Sequence, residues 1–408
     1  MYSKIKSNRM VIHSKKLIDG IENKILKNRF ILIDNGQIIS VTDNSPIKGE
    51  PVQYIEIPEN MTVLPGLINA HDHLQLSTVA DKKSDFLACS ESDIYQRMKM
   101  NVEKAVMSGV TTLRDCGAWK HLDIKLASLI READIVGPNL LVSGKPITSI
   151  NGHLAWMGKE VNGTNEIVDA VREEIKAGAD FIKMVASGGM ASAGTDLNSV
   201  QFSVEEFSAA KEAAHSLGKK ITAHSHSKAA IEAVVNSGFD MIEHCSWVGN
   251  NGIEYNEIVV DLIAKKGIFV VPTLATCYPK DYMKEKWIRL LGPLEARLQV
   301  IHNMIKQGVH IIAGTDDSEF DTLAWEIELL TRANLSNFEA IQAATKLSAE
   351  ALGIDDQTGS IESGKRADII AVEGDPLEDI RSLNQIRLII KNGQILDSQG
   401  IKTERNIT

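Results

Sequence analysis

Strand-like runs and amphipathic helices alternate through the central part of the chain. Most of the runs follow a stretch with helical spacing that ends in glycine, the residue that best tolerates a left-handed helix C-terminus. Ser203 and Ser336, each followed three residues later by a glutamate, predict capping boxes that open two of these helices. The β-branched and apolar runs predict strands at residues 63–71, 109–115, 138–148, 179–187, 219–225, 239–245, 267–274 and 308–316.

This alternation predicts a parallel sheet covered by helices. Eight strands over about 250 residues match the count and length of a closed (β/α)₈ barrel. The alternative, an open doubly wound sheet, would carry a glycine-rich phosphate loop after its first strand, and no GxGxxG or P-loop sequence occurs. We therefore predict an α/β fold with a TIM barrel over residues 65–357.

The two ends of the chain resemble each other. Asn35-Gly36 and Asn392-Gly393 each separate two apolar, β-branched runs. Asn-Gly between strands favours a hairpin with a type I′ turn, because both central residues of that turn need positive φ. A lone hairpin is marginally stable in water, so we expect the two to pair. Residues 1–64 and 358–408 are predicted to form one small composite β-sandwich domain, with two unrelated hairpins as the alternative.

Composition narrows the class of function. The 408 residues carry a formal charge of −10, which argues against binding nucleic acid or an anionic membrane surface. The basic N-terminus never becomes an apolar h-region, and no run approaches the roughly 18–20 apolar residues of a membrane span. The four cysteines are widely spaced without a CxxC pair, which favours reduced thiols. We expect a cytoplasmic protein that binds a small molecule. The sequence is also compatible with a homo-oligomer.

Unusual polar residues fall where the predicted strands end. In a TIM barrel these ends form the active-site face. One histidine at a strand end is more often a hydrogen-bonded structural residue, but six polar residues from five strands are hard to explain structurally. A buried lysine must pair, lose its proton or be used chemically. The six residues are His71, His73, Lys183, His224, His244 and Asp316.

Imidazole and carboxylate together suit zinc or another divalent transition metal. We predict two metals, one on the first-strand histidines and Asp316, the other on His224 and His244. A neutral Lys183 amine would add carbon dioxide, and the resulting carbamate, N6-carboxylysine, would bridge the metals together with a hydroxide. Asp316 would serve as general acid and base in hydrolysis. Arg114-Asp115, at the end of the second strand, is interpreted as a structural ion pair.

Several motifs resemble those of the amidohydrolase superfamily. They are PGLINAHDHL (65–74), GVTTLRD (109–115), IKMVASGG (182–189), TAHSHS (222–227), MIEHCS (241–246) and AGTDD (313–317). The tail TGSIESGKRADIIAVEGDP (358–376) is similar to the segment by which that family returns to its small β domain. The strand-four lysine followed by Ser-Gly-Gly resembles the binuclear prolidase-like, Xaa-Pro dipeptidase-like branch, related to imidazolonepropionase. That branch includes carboxypeptidases acting on dipeptides and N-acyl amino acids.

The resemblance implies the same metal ligands, a carboxylated Lys183 and a catalytic Asp316. It also implies that His153, in Asn151-Gly152-His153, lies near the substrate carbonyl. His226 is expected to line the pocket, and the competing idea is that it replaces His224 as a ligand. Trp247, three residues beyond His244, is a further pocket candidate.

One departure concerns the segment after Asp316. Relatives that cleave dipeptides often carry His-Gly there, whereas this chain has Asp317, Glu319 and Asp321 and no histidine. We expect Asp317 at the substrate pocket, where like-charge repulsion would disfavour a free substrate carboxylate. A neutral or cationic amide, or a lactam-like ring, is then the expected substrate.

Three other functions compete with cleavage of a peptide-like or N-acyl amino acid-like amide. A hydrolase of cyclic amides or lactones would use the same centre. A deaminase of a ring amidine would generally use one metal and lack the strand-four lysine. A catalytically inactive scaffold would have lost ligands, yet all six positions are present.

Overall fold

The computed structural model describes residues 9–46, 52–77, 81–192, 194–277, 288, 291–316, 319, 322–399, 401 and 403–406. Its strands are β1 (Met10–Leu17), β2 (Leu26–Asp34), β3 (Gln37–Thr42), β4 (Val52–Glu56), β5 (Met61–Pro65), β6 (Leu67–Asp72), β7 (Val110–Asp115), β8 (Asn139–Val142), β9 (Ile147–Ser149), β10 (Lys159–Val161), β11 (Ile182–Val185), β12 (Ile221–Ser227), β13 (Met241–Gly249), β14 (Gly252–Ile253), β15 (Phe269–Val271), β16 (Ile369–Glu373), β17 (Ile386–Lys391), β18 (Gln394–Ser398) and β19 (Thr403–Asn406). Its α-helices are α1 (Lys82–Ala88), α2 (Glu91–Met107), α3 (Leu122–Arg131), α4 (Thr164–Ala177), α5 (Val204–Ser216), α6 (Lys228–Ser237), α7 (Glu257–Lys266), α8 (Leu274–Cys277), α9 (Leu294–Lys306), α10 (Leu323–Arg332), α11 (Asn337–Ala343) and α12 (Lys346–Leu352). Short 3₁₀ helices span Trp119–His121 and Ile380–Asn384.

The chain divides into two compact units. The terminal unit is drawn from Met1–Ile68, Val106–Thr111 and Ser336–Thr408. The barrel unit is drawn from Asn69–Ala105 and Thr112–Leu335.

The terminal unit is built on one sheet that contains strands from both predicted hairpins. Its strand order is β18-β17-β16-β5-β1-β2-β3, and β4 pairs with both β1 and β19. The antiparallel pairing of β5 with β16 runs from Pro65 opposite Ile369 to Met61 opposite Glu373. Buried aliphatic side chains such as Ile12, Val63 and Leu388 form its core. Strands distant in the sequence are thus neighbours here, while the second layer of a sandwich stays a prediction.

The two Asn-Gly hairpins are confirmed. Asn35 and Gly36 have φ of 49° and 81°, and Asn392 and Gly393 have φ of 50° and 72°, the positive values that a type I′ turn requires. The turns lie against each other: a Cβ on Gly36 would come 2.7 Å from the carbonyl oxygen of Asn392, and one on Gly393 would come 2.6 Å from the Cα of Gly36. Glycine is therefore required both by the backbone angle and by the close approach.

Parallel strands with intervening helices form the barrel. β6, β7 and β8 are neighbours in one sheet, and β9, β11, β12, β13 and β15 follow one another in a second. The segment after α9 makes one bridge, from Ile311 to Val270. It then reaches β6, because Ala70 N donates to Ala313 O at 2.9 Å and Thr315 N donates to His71 O at 3.0 Å. The α/β fold is thus TIM-barrel-like, as predicted.

Two predicted barrel strands differ in detail. The run at 138–148 is divided into β8 and β9, because residues 143–146 turn away from regular pairing. The eighth run, 308–316, is extended but carries a single bridge rather than a ladder among the described residues. In the break between β8 and β9, Gly144 N donates to Asp123 Oδ2 at 2.8 Å and Lys145 N to Glu174 Oε2 at 2.9 Å, so side chains replace ladder bonds there.

The helices begin and end largely as their sequences predict. Ser203 and Ser336 each form a complete capping box with the glutamate three residues on. α4, α6 and α7 end at Gly178, Gly238 and Gly267, all with left-handed φ. Within the part of the chain that the structure describes, none of the helices is long and apolar enough to cross a membrane.

Candidate metal centre

The barrel brings the predicted histidines and Asp316 together. The ring centroids of His71 and His73 are 5.5 Å apart, those of His71 and His244 5.1 Å, and those of His224 and His244 4.5 Å. All four rings are buried. Asp316 Oδ1 lies 3.6 Å from His71 Nε2. Strand ends separated by up to 245 positions, from His71 to Asp316, thus meet in one cluster.

Hydrogen bonds determine which imidazole nitrogens are free. His73 Nδ1 lies 3.1 Å from the carbonyl oxygen of Gly117, and His224 Nε2 lies 3.1 Å from that of Gly188. A carbonyl oxygen can only accept, so these nitrogens carry the protons. The lone pairs therefore lie on His73 Nε2 and His224 Nδ1. His224 Nδ1 is 2.9 Å from His244 Nε2, whose ring also contacts Thr273 Oγ1 through Nδ1 at 2.7 Å.

Burial keeps most of these rings neutral. It lowers the pKa of His73 to about 3, and it lowers the pKa of His224 and His244 well below the ordinary value. The nearby Lys183 lowers all three pKa values further. A neutral imidazole with a free lone pair is the form that binds a metal ion.

His71 and Asp316 differ from the other members. Burial also lowers the pKa of His71, but Cys116 and Glu243 outweigh it and the pKa is raised. The Asp316 pKa is held below its usual range despite burial, mainly by His71. Asp316 is therefore an ionised carboxylate at neutral pH.

Two buried nitrogen atoms in the cluster lack a partner. Lys183 is 1% exposed, and its Nζ has no hydrogen-bond partner among the described residues. His71 Nε2 likewise has none, because its 3.6 Å distance to Asp316 exceeds hydrogen-bond range. An unpaired buried donor costs about 1–3 kcal/mol. Unpartnered nitrogens beside neutral imidazoles and a carboxylate fit the ligand set of a divalent metal ion.

Several site residues adopt left-handed backbone angles. The φ values are 65° at His244, 50° at Thr273 and 50° at Asp316, which is uncommon for residues with a Cβ. At His244 this angle breaks the alternation of side chains along β13. Consecutive residues Glu243 and His244 both contact His71 as a result. Strain of this kind is typical of functional sites.

His153 and His226 lie beside the cluster. His153 is buried, its ring centroid is 4.6 Å from that of His224, and burial lowers its pKa to about 3. A Cβ on Gly189 would come 2.3 Å from His153 Nε2, so glycine is needed there. His226 stacks on His244 at 4.5 Å, and its Nδ1 is 2.9 Å from Ser246 Oγ. His224, His226 and His244 offer ligand atoms within 4.8 Å of one another, so both interpretations of His226 stay predictions.

The remaining pocket candidates are less informative. Trp247 is fully buried and packs edge-on against Tyr255, with ring centroids 5.6 Å apart. Its predicted contact with substrate stays a prediction. Asp317 and Asp321 lie outside the described residues, as do residues 278–287 of the charged strip after the seventh strand.

One buried ion pair was not predicted from the sequence. Arg114 bonds Glu243 rather than Asp115, so the predicted Arg114–Asp115 pair is wrong. Asp115 instead accepts from the backbone of Gly117 and Leu74. Burial raises the pKa of Glu243, but Arg114 and His71 outweigh it and hold that pKa below its usual range. The sequence contained a signal for Glu243, because it is an acidic residue inside the apolar run 239–245. Lys183 was identified in the same way, as a charged residue inside an apolar run.

Comparison with known proteins identifies the family of this chain. Residues 62–396 match the profile described as Amidohydrolase family. Ochratoxinase of Aspergillus niger is 28% identical over an alignment of 431 residues that covers 96% of this chain and 87% of the relative. A crystal structure of a Xaa-Pro dipeptidase with bound methionine in the active site has a TM-score of 0.86 and 28% identity, over 96% of this chain and 100% of that one. Imidazolonepropionase of Picrophilus torridus is 22% identical, over 90% of this chain and 91% of the relative.

The chain belongs to the amidohydrolase family. Its relatives are consistent with the prolidase-like branch that the motifs predicted. Family membership and these relatives support a hydrolase that acts on amide bonds.

Proposed function

We propose that the protein is a metal-dependent amidohydrolase that cleaves a peptide-like or N-acyl amino acid-like amide bond. The observation that carries the proposal is the buried Lys183 amine, which has no hydrogen-bond partner among the described residues although buried histidines surround it. A purely structural lysine at this depth would be paired.

Two divalent ions, expected to be zinc, fit the donor atoms. One would be held by His71 Nε2, His73 Nε2 and Asp316, and the other by His224 Nδ1 and His244 Nε2. Lys183, carboxylated by carbon dioxide, would serve both. When bound, such ions lower the pKa of water and polarise the scissile carbonyl.

Asp316 and His153 supply the proton chemistry. Asp316 is ionised and its side chain is 25% exposed, so it can take the proton of the attacking water and deliver it to the leaving amine. His153 is neutral and buried, and its N–H would donate to the carbonyl oxygen as negative charge develops there.

We expect a substrate with an apolar group, because a cluster of three aromatic rings is hydrogen-bonded to the segment that carries His153. Phe86, Trp119 and Trp156 come from the segments after β6, β7 and β9, and the Phe86 ring centroid lies 5.8 Å and 4.8 Å from those of the two tryptophans. Trp156 Nε1 donates to Ser192 Oγ at 3.0 Å. The same oxygen accepts from the backbone of Leu154 at 3.0 Å, one residue beyond His153. This hydrogen bond ties the aromatic group to the proposed catalytic segment.

A substrate panel on metal-replete protein tests the proposal. The panel contains N-acetyl derivatives of phenylalanine, leucine and glutamate, their C-terminal amides, dipeptides, a lactam, a lactone and a ring amidine. We expect about two metals per chain and the fastest turnover for amides of the apolar residues. Asp316→Asn, with its shape kept, should lower kcat about 10²–10⁴-fold.

The panel also separates the alternatives. Faster turnover of the C-terminal amides than of the free acids would support repulsion of a substrate carboxylate by the segment after Asp316. Ammonia release from the ring amidine with one metal per chain would replace the proposal by deamination. Turnover confined to the lactam or lactone would replace it by ring opening.

A further inference from the structure

A buried ion pair lies directly behind His71. Glu243 Oε2 is 2.6 Å from His71 Nδ1. The other carboxylate oxygen, Oε1, accepts from Arg114 Nη2 at 2.6 Å and from Thr222 Oγ1 at 2.5 Å. All four side chains are fully buried. The two oxygens of one carboxylate thus have separate partners.

Arg114 is held in one orientation. Its Nε donates to the carbonyl oxygen of Ala70, the residue before His71, at 2.5 Å. Its Nη1 lies 3.2 Å from Met241 Sδ, and its guanidinium carbon lies 5.0 Å from the ring centroid of Phe181. A guanidinium can only donate. The atom of residue 243 that faces Arg114 must therefore be an acceptor.

We propose that Glu243 and Arg114 are positioning residues that place the proton of His71 on Nδ1 and keep Nε2 free for the metal. A carboxylate behind a ligating histidine fixes the ring tautomer in this way. The inference rests on the proposed function for the identity of the metal centre, but it concerns metal affinity and the state of one ring, not turnover.

The geometry makes a directional prediction for Glu243→Gln. The amide oxygen must face Arg114, so the amide NH₂ must face His71 Nδ1. An NH₂ group can only donate, and Nδ1 must then accept. The remaining proton moves to Nε2, where it blocks the metal. The substitution therefore acts through the orientation of one amide, with the side-chain shape kept.

Adding Arg114→Met to Glu243→Gln should reverse part of this effect. Without the guanidinium, the amide can turn its oxygen toward His71 Nδ1. Thr222 permits both orientations, because a hydroxyl donates or accepts. A merely structural ion pair would make the double variant worse than either single variant, whereas orientation control makes it better than Glu243→Gln.

The experiment measures metal binding and ring protonation on the full chain. Zinc affinity is measured by competition with a chromophoric chelator. The protonation of His71 Nδ1 is read from ¹⁵N shifts of metal-free, histidine-labelled protein at a pH high enough for the His71 ring to be neutral. We expect Glu243→Gln to lose about 10–100-fold in affinity for one zinc and to show an unprotonated Nδ1. The double variant should recover most of that affinity.

Two further variants keep the test decisive. Glu174→Gln changes another buried glutamate of the barrel unit, one that accepts from Lys145 N at 2.9 Å, and should leave zinc affinity unchanged. Glu243→Asp keeps an acceptor behind His71, so it should keep Nδ1 protonated and bind zinc more tightly than Glu243→Gln.

The inference is overturned if Glu243→Gln keeps a protonated Nδ1 with wild-type zinc affinity, or if the double variant binds zinc more weakly than Glu243→Gln. If no amide in the substrate panel is hydrolysed, zinc affinity and the ¹⁵N shifts still test this inference. If zinc affinity and the ¹⁵N shifts contradict the inference, the protein can still hydrolyse an amide.

Discussion

Two buried lysines, one in each unit, differ in what surrounds their amines. Lys183 of β11 is 1% exposed and Lys391 of β17 is 5% exposed. Lys391 Nζ donates to Asp368 Oδ1 at 3.1 Å and to Asn392 Oδ1 at 2.8 Å, whereas Lys183 Nζ has no partner within the described ranges. Both amines are buried, but only that of Lys391 has hydrogen-bond partners among the described residues. This difference distinguishes a structural lysine from a candidate functional one.

The surroundings explain the difference. Asp368 also accepts from Asn392 N at 2.9 Å and from Arg366 Nε at 3.2 Å, so Lys391 belongs to a satisfied network. Burial lowers the pKa of Lys391 to about 8, and Asp368 opposes that shift. The Lys183 amine lies near buried histidines and near Glu243, but Glu243 is already bonded to Arg114 and His71. The proposed conversion of the Lys183 amine to a carbamate would remove this unsatisfied donor.

Removing the two lysines should have very different consequences. Lys183→Ala should lose at least one metal and lower kcat on the order of 10³-fold, because the proposed bridging carbamate could no longer form. Lys391→Ala is the matched control and should keep its metals and turnover. Metal analysis and kinetics check both variants.

Added formate or acetate extends the Lys183 test. A short carboxylate can take the place of the carbamate, so partial return of activity in Lys183→Ala is expected. Full activity without rescue in Lys183→Ala would show that the lysine is not part of the centre.

Removing the Asp368 carboxylate should leave the buried Lys391 ammonium without its counter-charge. Asp368→Asn leaves an uncompensated ammonium, so we expect a loss of about 3–5 kcal/mol in the free energy of unfolding at pH 7. The double variant Asp368→Asn with Lys391→Met should recover part of the loss. Denaturant unfolding checks both variants. Equal stability of Asp368→Asn and wild type would show that the pair contributes nothing.

Lys391 should also give stability a characteristic pH dependence. Its pKa is about 8 in the folded chain against an ordinary value of 10.5, so the unfolded chain binds more protons between these values. The folded state is therefore penalised below pH 8, and stability rises with pH from about 8 to 10.5, by up to about 3 kcal/mol. Lys391→Met should lack this rise. The difference between the two unfolding profiles measures it, and parallel profiles would contradict it.

Features governed by local chemistry could be predicted from the sequence. The Asn-Gly turns, the Ser-x-x-Glu caps and the glycine helix ends depend on the φ range or hydrogen bond of a few adjacent residues. The candidate ligands followed from a topological rule, because parallel barrel strands deliver their ends to one face. His71, His224 and His244 could be predicted from the positions of the strand ends and that rule alone.

The missed residues depend on contacts that no local pattern contains. Alternation along β13 places Glu243 on the face opposite His244, and the left-handed φ of His244 overrides it. Arg114 has an acid as its chain neighbour, yet its partner lies 129 positions away. The division of the third strand similarly depends on side-chain hydrogen bonds to the loop.

The pairing of β5 with β16 has a consequence for synthesis of the chain. Roughly 300 residues lie between the paired positions Pro65 and Ile369, and a ribosome adding 5–20 residues per second needs about 15–60 s to make them. During that interval β5 has been translated but its partner does not exist. An unpaired strand edge invites association with other chains, so we expect nascent chains to be most exposed to aggregation while the ribosome is translating the barrel.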